Sequence, residues 1–167
     1  MDPVLNYLKS IKMRKYSLRV NKRNRGVQNP AIIYNLTVVN GRFPLFYKKA
    51  AHLEFRIIPG TKMLYIAEGS TNSRYERQGL GAFLRALATK SGKIAGMNQG
   101  LQLGQYQRTT NLQHNKPPST RVLSRLGWKQ INFPTNTRNI GNSYRSTLNY
   151  KNFNMRPVNN AIRMWKK

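Results

Sequence analysis

Acidic side chains are scarce in this chain of 167 residues. It has four Asp and Glu against 30 Lys and Arg, which gives a formal net charge of +26 and a pI near 11.4. The solvated surface of an ordinary soluble domain mixes charges of both signs, and four acids cannot supply that mixture. We therefore expect a polyanionic partner, with nucleic acid first, RNA preferred, and an anionic membrane surface second.

Cysteine is absent as well, which excludes disulfide bonds, a thiolate nucleophile and cysteine metal sites. The two histidines, His52 and His114, lie far apart in the sequence, so we expect no metal site. The apolar runs are too short for a transmembrane helix. Hydrophobic content of 39% still provides material for one modest core, and the length fits a single domain.

Both ends of the chain are basic, and we expect them to be extensions of a central domain. The predicted division is a basic N-terminal arm (1–29), a central domain (30–136) and a basic, aromatic-containing C-terminal extension (137–167). Apolar residues at helical spacing near the start, from Val4 to Ile11, are also typical of a transit peptide or a membrane-surface helix. The predicted phosphate contacts are Lys12, Arg14, Lys15, Lys22, Arg23, Arg25, Arg156, Arg163, Lys166 and Lys167.

Aromatic residues alternate with cations in the C-terminal extension: Tyr144, Tyr150, Phe153 and Trp165 stand among Arg145, Lys151, Arg156 and Arg163. Aromatic rings between cations suit base stacking combined with phosphate contacts. The same rings are equally suited to packing a terminal strand or helix on the core, so both interpretations stay open.

The middle of the chain predicts alternating strands and helices. A β-branched run at 31–39 predicts a strand, and residues 52–58 and 63–67 predict a β-hairpin around Pro59-Gly60. A helix with an apolar stripe is expected to open at Gly79 and to stop near Ser91-Gly92. Residues 93–97 predict the next strand, and residues 121–126 a short helix ended by Gly127.

Two motifs within this pattern resemble the GNAT N-acetyltransferase superfamily. They are the Tyr75–Gly81 segment (YERQGLG) before a helix and the Leu126-Gly127-Trp128 end of the later helix. The resemblance covers about residues 50–130. It implies an α/β (α+β) fold, with a mixed sheet and flanking helices. It also implies that a glycine loop cradles the pyrophosphate of acetyl-CoA at a helix N-terminus. The implied loop residues are Arg77, Gln78, Gly79, Leu80, Gly81 and Ala82.

Two positions depart from the family's pattern. Glu76 stands where the family has Gln or Arg, which places a carboxylate beside the expected pyrophosphate. Leu123 stands where the family often has a tyrosine acting as general acid, and leucine cannot donate a proton. We therefore expect a degenerate member with no catalytic residue and no cofactor. In an active enzyme, Glu68 would be the base and acetyl-CoA the cofactor.

These observations predict a non-catalytic, intracellular structural protein of a large nucleoprotein assembly, which contacts RNA and neighbouring proteins. A mitochondrial ribosome is the favoured assembly. Two alternatives remain open. One is an active acetyl-CoA-dependent N-acetyltransferase, and the other is an internal or minor capsid protein of a large virus that lies against the genome or a membrane.

Overall fold

A seven-stranded mixed sheet forms the centre of the computed structural model, which describes residues 1–28, 30–42, 46–107, 118–133 and 140–166. The strands are β1 (Ser17–Arg25), β2 (Ala31–Arg42), β3 (Phe46–Ile58), β4 (Met63–Thr71), β5 (Gln99–Gln107), β6 (Lys129–Phe133) and β7 (Ile140–Asn149). Their order across the sheet is β1-β2-β3-β4-β5-β7-β6. The helices are α1 (Pro3–Lys9), α2 (Leu80–Ile94), α3 (Pro118–Arg125) and α4 (Arg156–Arg163). The predicted α/β class, with a mixed sheet and flanking helices, is confirmed.

The antiparallel strands β1 to β4 form the first half of the sheet. The predicted hairpin is confirmed, with β3 and β4 antiparallel and Phe55 opposite Ile66. Leu36, Leu53 and Phe55 are fully buried, and with Ile66 they belong to the core. Alternation along each strand places these side chains on one face, as the sequence pattern predicts.

All four helices contribute to that same core. Leu8 of α1, Leu84 of α2, Leu123 of α3 and Ile162 of α4 belong to one cluster of buried side chains. The apolar faces of the helices therefore cover a single face of the sheet. No helix in the described part of the chain is long and apolar enough to cross a membrane.

Two boundaries predicted around α2 are wrong. The helix does not stop at Gly92 but continues to Ile94, and the following strand begins at Gln99 instead of residue 93. Gly92 allows close packing, because a Cβ there would lie 3.1 Å from Leu64 Cβ and closer still to the Tyr150 hydroxyl. The chain leaves the helix at Gly96, whose φ of 71° favours glycine.

Both predicted extensions contribute elements to the sheet and its helical layer. The predicted arm contains α1 and β1, and β1 pairs along its whole length with β2. Residues 137–167 contribute β7 and α4, and β7 lies between β5 and β6. The division into an arm, a domain and an extension therefore does not correspond to a break in the sheet.

Candidate functional site

A cleft opens where the parallel strands β4 and β5 separate. Their pairing comprises four residue pairs, from Met63 with Gln99 to Ile66 with Gln102. The register of β4 against β3 then shifts by one residue, at Ala67. β4 continues to Thr71 and β5 to Gln107, so the two strands diverge towards their carboxyl ends. A cleft of about 660 Å³ lies on the β4 side of this separation and is bordered by β4, the loop before α2, α2 itself and α3.

The loop that precedes α2 brings an uncapped helix N-terminus to this cleft. Gly79 is the N-cap residue with a φ of 85°, and no side chain caps the helix. The first bond of the helix joins Phe83 N–H to Gly79 O, which leaves the earlier N–H groups of the helix without an intrahelical partner. No acidic residue lies in the first turn. Such a terminus is suited to an anion.

Four arginines line the cleft together with one carboxylate, that of Glu76; the arginines are Arg77, Arg85, Arg121 and Arg125. The loop residues predicted to hold a pyrophosphate are represented by Arg77, Gly79, Leu80, Gly81 and Ala82. Gln78, the remaining predicted loop residue, is not among the residues that line the cleft. Its side-chain Oε1 accepts a hydrogen bond from the Tyr16 hydroxyl at 2.6 Å. The lining is therefore cationic despite the exposed Glu76.

Arg85 is the buried member of this group, with 7% of its surface exposed. Its Nε donates to Gln102 Oε1 on β5 and its Nη1 to Gly81 O, both at 3.3 Å. A Cβ at Gly69 on β4 would lie 3.2 Å from Nη2. The guanidinium thus bonds to β5 at Gln102, in the last residue pair of β4 and β5, and lies against β4 at Gly69. Burial lowers the pKa of Arg85 to about 10, so the side chain remains charged at neutral pH.

The two residues that the resemblance connects with catalysis lie elsewhere. Glu68 is exposed on β4, directly opposite Glu54. Since the neighbouring Gly69 faces Arg85, alternation turns Glu68 to the other face of the sheet. Leu123 is fully buried in the core and offers neither a donor nor an acceptor side chain. No group of three or more His, Asp and Glu side chains suited to a metal occurs among the described residues.

The predicted phosphate contacts from the two chain ends meet in space. Met13 and Lys166 form an antiparallel bridge, and Arg14 Nε donates to Lys166 O at 2.8 Å. Five of the predicted cations in the described part of the chain lie within three sequence positions of this bridge, and we call them the terminal cluster: Lys12, Arg14, Lys15, Arg163 and Lys166.

The terminal cluster lies beside the loop of the cleft, because Trp165 joins the two. The Trp165 ring centroid is 5.7 Å from that of Tyr16 and 6.2 Å from that of Phe83 on α2. Its Nε1 would lie 4.0 Å from a Cβ at Gly79. Sequence reasoning treated the two ends as separate arms, so this convergence was missed.

The remaining predicted contacts are dispersed. Lys22 pairs with Asp2 at 2.8 Å, and Arg23 pairs with the buried Glu54 at 3.0 Å. Arg25 is exposed at the end of β1, and Arg156 is exposed at the start of α4. Lys167 lies outside the described residues. The structure therefore gathers half of the predicted set at one place.

The aromatic residues of the C-terminal segment pack on the core. Tyr150, Phe153 and Trp165 are partly buried against it. The Tyr150 hydroxyl donates to Thr89 O at 2.7 Å, and burial raises the pKa of Tyr150. The side chain of Tyr144 lies outside the described set. Of the two interpretations left open, packing on the core therefore describes these three rings.

Solved structures with a similar fold include acetyltransferases. The chain is similar to a GNAT-family acetyltransferase from Bacillus anthracis, at 17% identity and a TM-score of 0.51 over 70% of this chain and 66% of that one. It is similar to nourseothricin acetyltransferase at 11% identity and a TM-score of 0.51, over 87% and 92%. A Bacillus subtilis acetyltransferase in complex with CoA matches at 11% identity and a TM-score of 0.50, over 80% and 99%.

The protein has the GNAT fold. At these identities the likeness concerns the fold alone. No protein-family model and no curated protein matches the sequence.

The residues of the cleft fit one part of acetyl-CoA and not the other. The uncapped α2 terminus and the arginines suit its phosphates. The arm that carries the thioester is uncharged, and the buried Arg85, whose Nε donates to Gln102 Oε1, offers it a cation instead of an apolar surface. The cleft therefore suits phosphate groups better than the arm.

Arg85, Arg121 and Arg125 were missed by sequence reasoning. A signal for Arg85 was present, because it interrupts an apolar stretch of α2 (AFLRALA), and a lone charge there needs a specific reason to be buried. Arg121 and Arg125 carried no such signal, since exposed arginines on a short helix are common.

Proposed function

We propose that this GNAT-fold protein does not transfer acetyl groups and binds nucleic acid, RNA preferred, as a basic component of a nucleoprotein assembly. The observation that carries the proposal is the union of both chain ends in the terminal cluster, five cations with no carboxylate among them. Mutual repulsion in such a cluster is relieved when phosphates bind and release their counterions.

The composition supports the same conclusion. Even if every one of the four carboxylates paired with its own cation, a net charge of +26 would remain. A polyanion is the partner that neutralises this excess. For the assembly itself, a mitochondrial ribosome remains our first prediction and the interior of a virion the alternative, in which neighbouring proteins or an anionic membrane surface supply further contacts.

The absence of acetyl transfer is supported by the site. Leu123 is buried and apolar, Glu68 lies on the opposite face of the sheet, and Arg85 stands between β4 and β5. General acid–base chemistry needs a titratable group within hydrogen-bond reach of the reacting atoms. Neither Leu123 nor Glu68 supplies such a group in the cleft.

The test is a salt series of binding to a single-stranded RNA. Substituting three cations of the terminal cluster, Lys12→Gln, Lys15→Gln and Arg163→Gln, should reduce the slope of log K against log salt by about 2, at roughly 0.7 per phosphate contact. Arg14 is left in place because it also joins the termini. The matched control replaces three exposed lysines elsewhere, Lys48→Gln, Lys49→Gln and Lys93→Gln, and should change the slope by less than half as much. Equal changes in the two variants would show that the terminal cluster has no special role.

A second candidate function is acetyl-CoA-dependent N-acetyl transfer, which the glycine loop and the open cleft favour. Glu68 would then act as the base. Incubation of the full chain with acetyl-CoA and amine acceptors, followed by mass spectrometry, tests it. Acetylated product formed by the full chain would promote this function over the first, and its loss in Glu68→Gln would assign the base.

A further inference from the structure

We propose that the face of the sheet opposite the helices binds single-stranded RNA, with phosphates on its cations and a base stacked against Tyr65. The inference deepens the proposed function, on which it rests for the ligand, and it lies apart from both the cleft and the terminal cluster. Three observations carry it: a row of side chains that crosses the whole sheet, a cation–π pair fixed within that row, and exposed apolar side chains beside it.

This outer face of the sheet is accessible and cationic. The core lies on the other face, where the helices pack, whereas Leu103 and Ile131 on the outer face are 49% and 45% exposed. Strand alternation and register place two of the four carboxylates here, those of Glu54 and Glu68. Cations outnumber them among the described residues and include Arg19, Arg23, Arg25, Arg56, Lys129 and Arg145.

One row of side chains crosses the outer face from edge to edge, with one residue from each of the seven strands. The register of the sheet gives its order as Arg23, Ile33, Arg56, Tyr65, Leu101, Thr147 and Lys129. Strands spaced about 4.8 Å apart give this row a length of about 29 Å. Cations stand at both ends and near the middle, and the row contains no carboxylate. Such a row suits a single strand, in which phosphates alternate with bases.

Arg56 and Tyr65 form the cation–π pair of the row. Arg56 Cζ lies 5.8 Å from the centroid of the Tyr65 ring, which is partly exposed. Arg56 Nε and Nη2 donate to Glu54 Oε1 at 3.0 and 2.9 Å, so the guanidinium has a fixed place beside the ring. Arg23 Nη2 donates to Glu54 Oε2 at 3.0 Å.

The buried Glu54 orients two arginines on a face that no other carboxylate neutralises except that of Glu68. The Glu54 side chain is 8% exposed, whereas that of Arg23 is 63% exposed. Burying a carboxylate is costly, and here it fixes the two guanidiniums in advance of a ligand. A guanidinium has five N–H donors, so Arg23 and Arg56 keep further donors for phosphate oxygens.

The apolar side chains favour RNA with unpaired bases over a purely ionic partner. Leu101 follows Tyr65 in the row, and Leu103 and Ile131 stand on either side of Arg145 in the neighbouring one. Phosphates alone have no use for such groups, whereas the flat face of a base packs on them. Lipid would also contact apolar side chains, but it would leave the fixed hydrogen-bonding groups of this face without partners.

Titration of the full chain with an unstructured oligouridine RNA tests this surface. Tyr65→Leu should weaken binding about tenfold, because the stacking of one base is lost. It should leave the slope of log K against log salt unchanged, since no charge is removed. Tyr65→Phe keeps the ring and should bind like wild type. Binding of duplex RNA should not differ between wild type and Tyr65→Leu, because paired bases cannot reach the ring.

A second variant changes exposed side chains only and covers the case in which Tyr65→Leu does not fold. Arg23→Gln with Lys129→Gln, at the two ends of the row, should reduce the salt slope by about 1.4, at roughly 0.7 per phosphate contact. Lys93→Gln with Lys151→Gln removes the same charge from exposed sites outside the strands and should reduce the slope by less than half as much.

The outcomes separate this surface from the proposed function. If folded Tyr65→Leu binds oligouridine like wild type, or if it does not fold and the Arg23 and Lys129 variant keeps the wild-type slope, the inference is wrong and the terminal cluster accounts for RNA binding. A wild-type protein that binds no RNA would contradict both proposals. Vesicles of phosphatidylcholine and phosphatidylserine provide the last comparison. Vesicle binding that these substitutions weaken, with RNA binding unchanged, would overturn the inference and assign the face to a membrane.

Discussion

The cleft and the terminal cluster are two cationic regions on either side of the Gln78-Gly79 loop, and they hold their charges in different ways. In the cleft, Arg85 is buried and fixed by Gln102 and Gly81. In the terminal cluster, Lys12 and Lys15 are exposed and free to follow a mobile ligand. A buried cation recognises one group at one place, whereas exposed cations attract any polyanion and are screened by salt. The net charge of the protein therefore does not by itself describe how it binds phosphate, because the two regions hold their cations differently.

The largest expected effect is a difference between the two regions in the salt dependence of ligand binding. Between 50 and 200 mM salt, RNA binding should weaken by about a hundredfold if five cluster cations contact phosphates on a single strand. Pyrophosphate binding in the cleft should weaken by less than about tenfold, because buried charges are screened less. Parallel titrations of both ligands measure this. Equal salt dependence would remove the distinction between the regions.

The next largest effect concerns Trp165, which lies between the two regions, and the stability of the fold. Trp165→Ala removes the ring that packs on Tyr16 and Phe83. It should cost about 2 kcal/mol of unfolding free energy, less than a fully buried tryptophan because the ring is partly exposed. Denaturant unfolding measures the loss. Met164→Ala, at a side chain that is 75% exposed, is the control and should cost little.

In the Trp165→Ala variant, the slope of RNA binding against salt should also flatten, because the C-terminal cations lose their fixed place. Pyrophosphate binding should change less. If pyrophosphate binding falls as far as RNA binding does, the cleft depends on the terminal cluster and the two regions act as one.

A smaller effect tests whether residues 1–29 are part of the folded structure. Asp2 accepts from Leu5 N–H at 2.9 Å as the N-cap of α1, and it pairs with Lys22 and with the Tyr34 hydroxyl. Asp2→Ala should cost about 1 kcal/mol, the usual value of a lost N-cap. Thermal unfolding measures it, and Asp2→Asn, which can still cap the helix, should lose less.

The same residue gives a pH dependence. Burial by itself would raise the pKa of Asp2, but the hydrogen bonds from Lys22, Leu5 and Tyr34 lower it below 3.8 overall. The carboxylate therefore stabilises the fold above that pH, and its contribution disappears as the pH falls through the lowered value. The difference between wild type and Asp2→Ala should shrink below about pH 4. A difference that stays constant down to pH 2 would assign the loss to packing instead.

Much of the fold could be predicted from local sequence patterns. The alternation in 52–58, the β-branched run at 31–39 and the glycine before Leu80 predicted β3, β2 and the start of α2, because period and turn chemistry are local properties. The end of α2 was not predictable, since Gly92 is there for contact with Tyr150, a residue 58 positions later.

The glycine loop of the candidate site could be predicted from the sequence, but the arginines that line the rest of the cleft could not. Gly79 and Gly81 follow from a local motif, but the position of Arg85 between Gly69 and Gln102 depends on how two distant strands separate. The bridge between Met13 and Lys166 likewise joins opposite ends of the chain. Contacts of this kind depend on tertiary structure and leave no periodic trace in a single sequence.

The most direct test of the central claim compares acetyl-CoA with its phosphate-bearing half, adenosine 3′-phosphate 5′-diphosphate, by calorimetric titration of the full chain at physiological salt. If the buried Arg85 offers the arm with its thioester a cation instead of an apolar surface, the arm adds no affinity, and the two ligands should bind with dissociation constants within about threefold of each other. Acetyl-CoA binding at least tenfold tighter than its phosphate half, with a micromolar dissociation constant, would contradict the account and favour an active acetyltransferase.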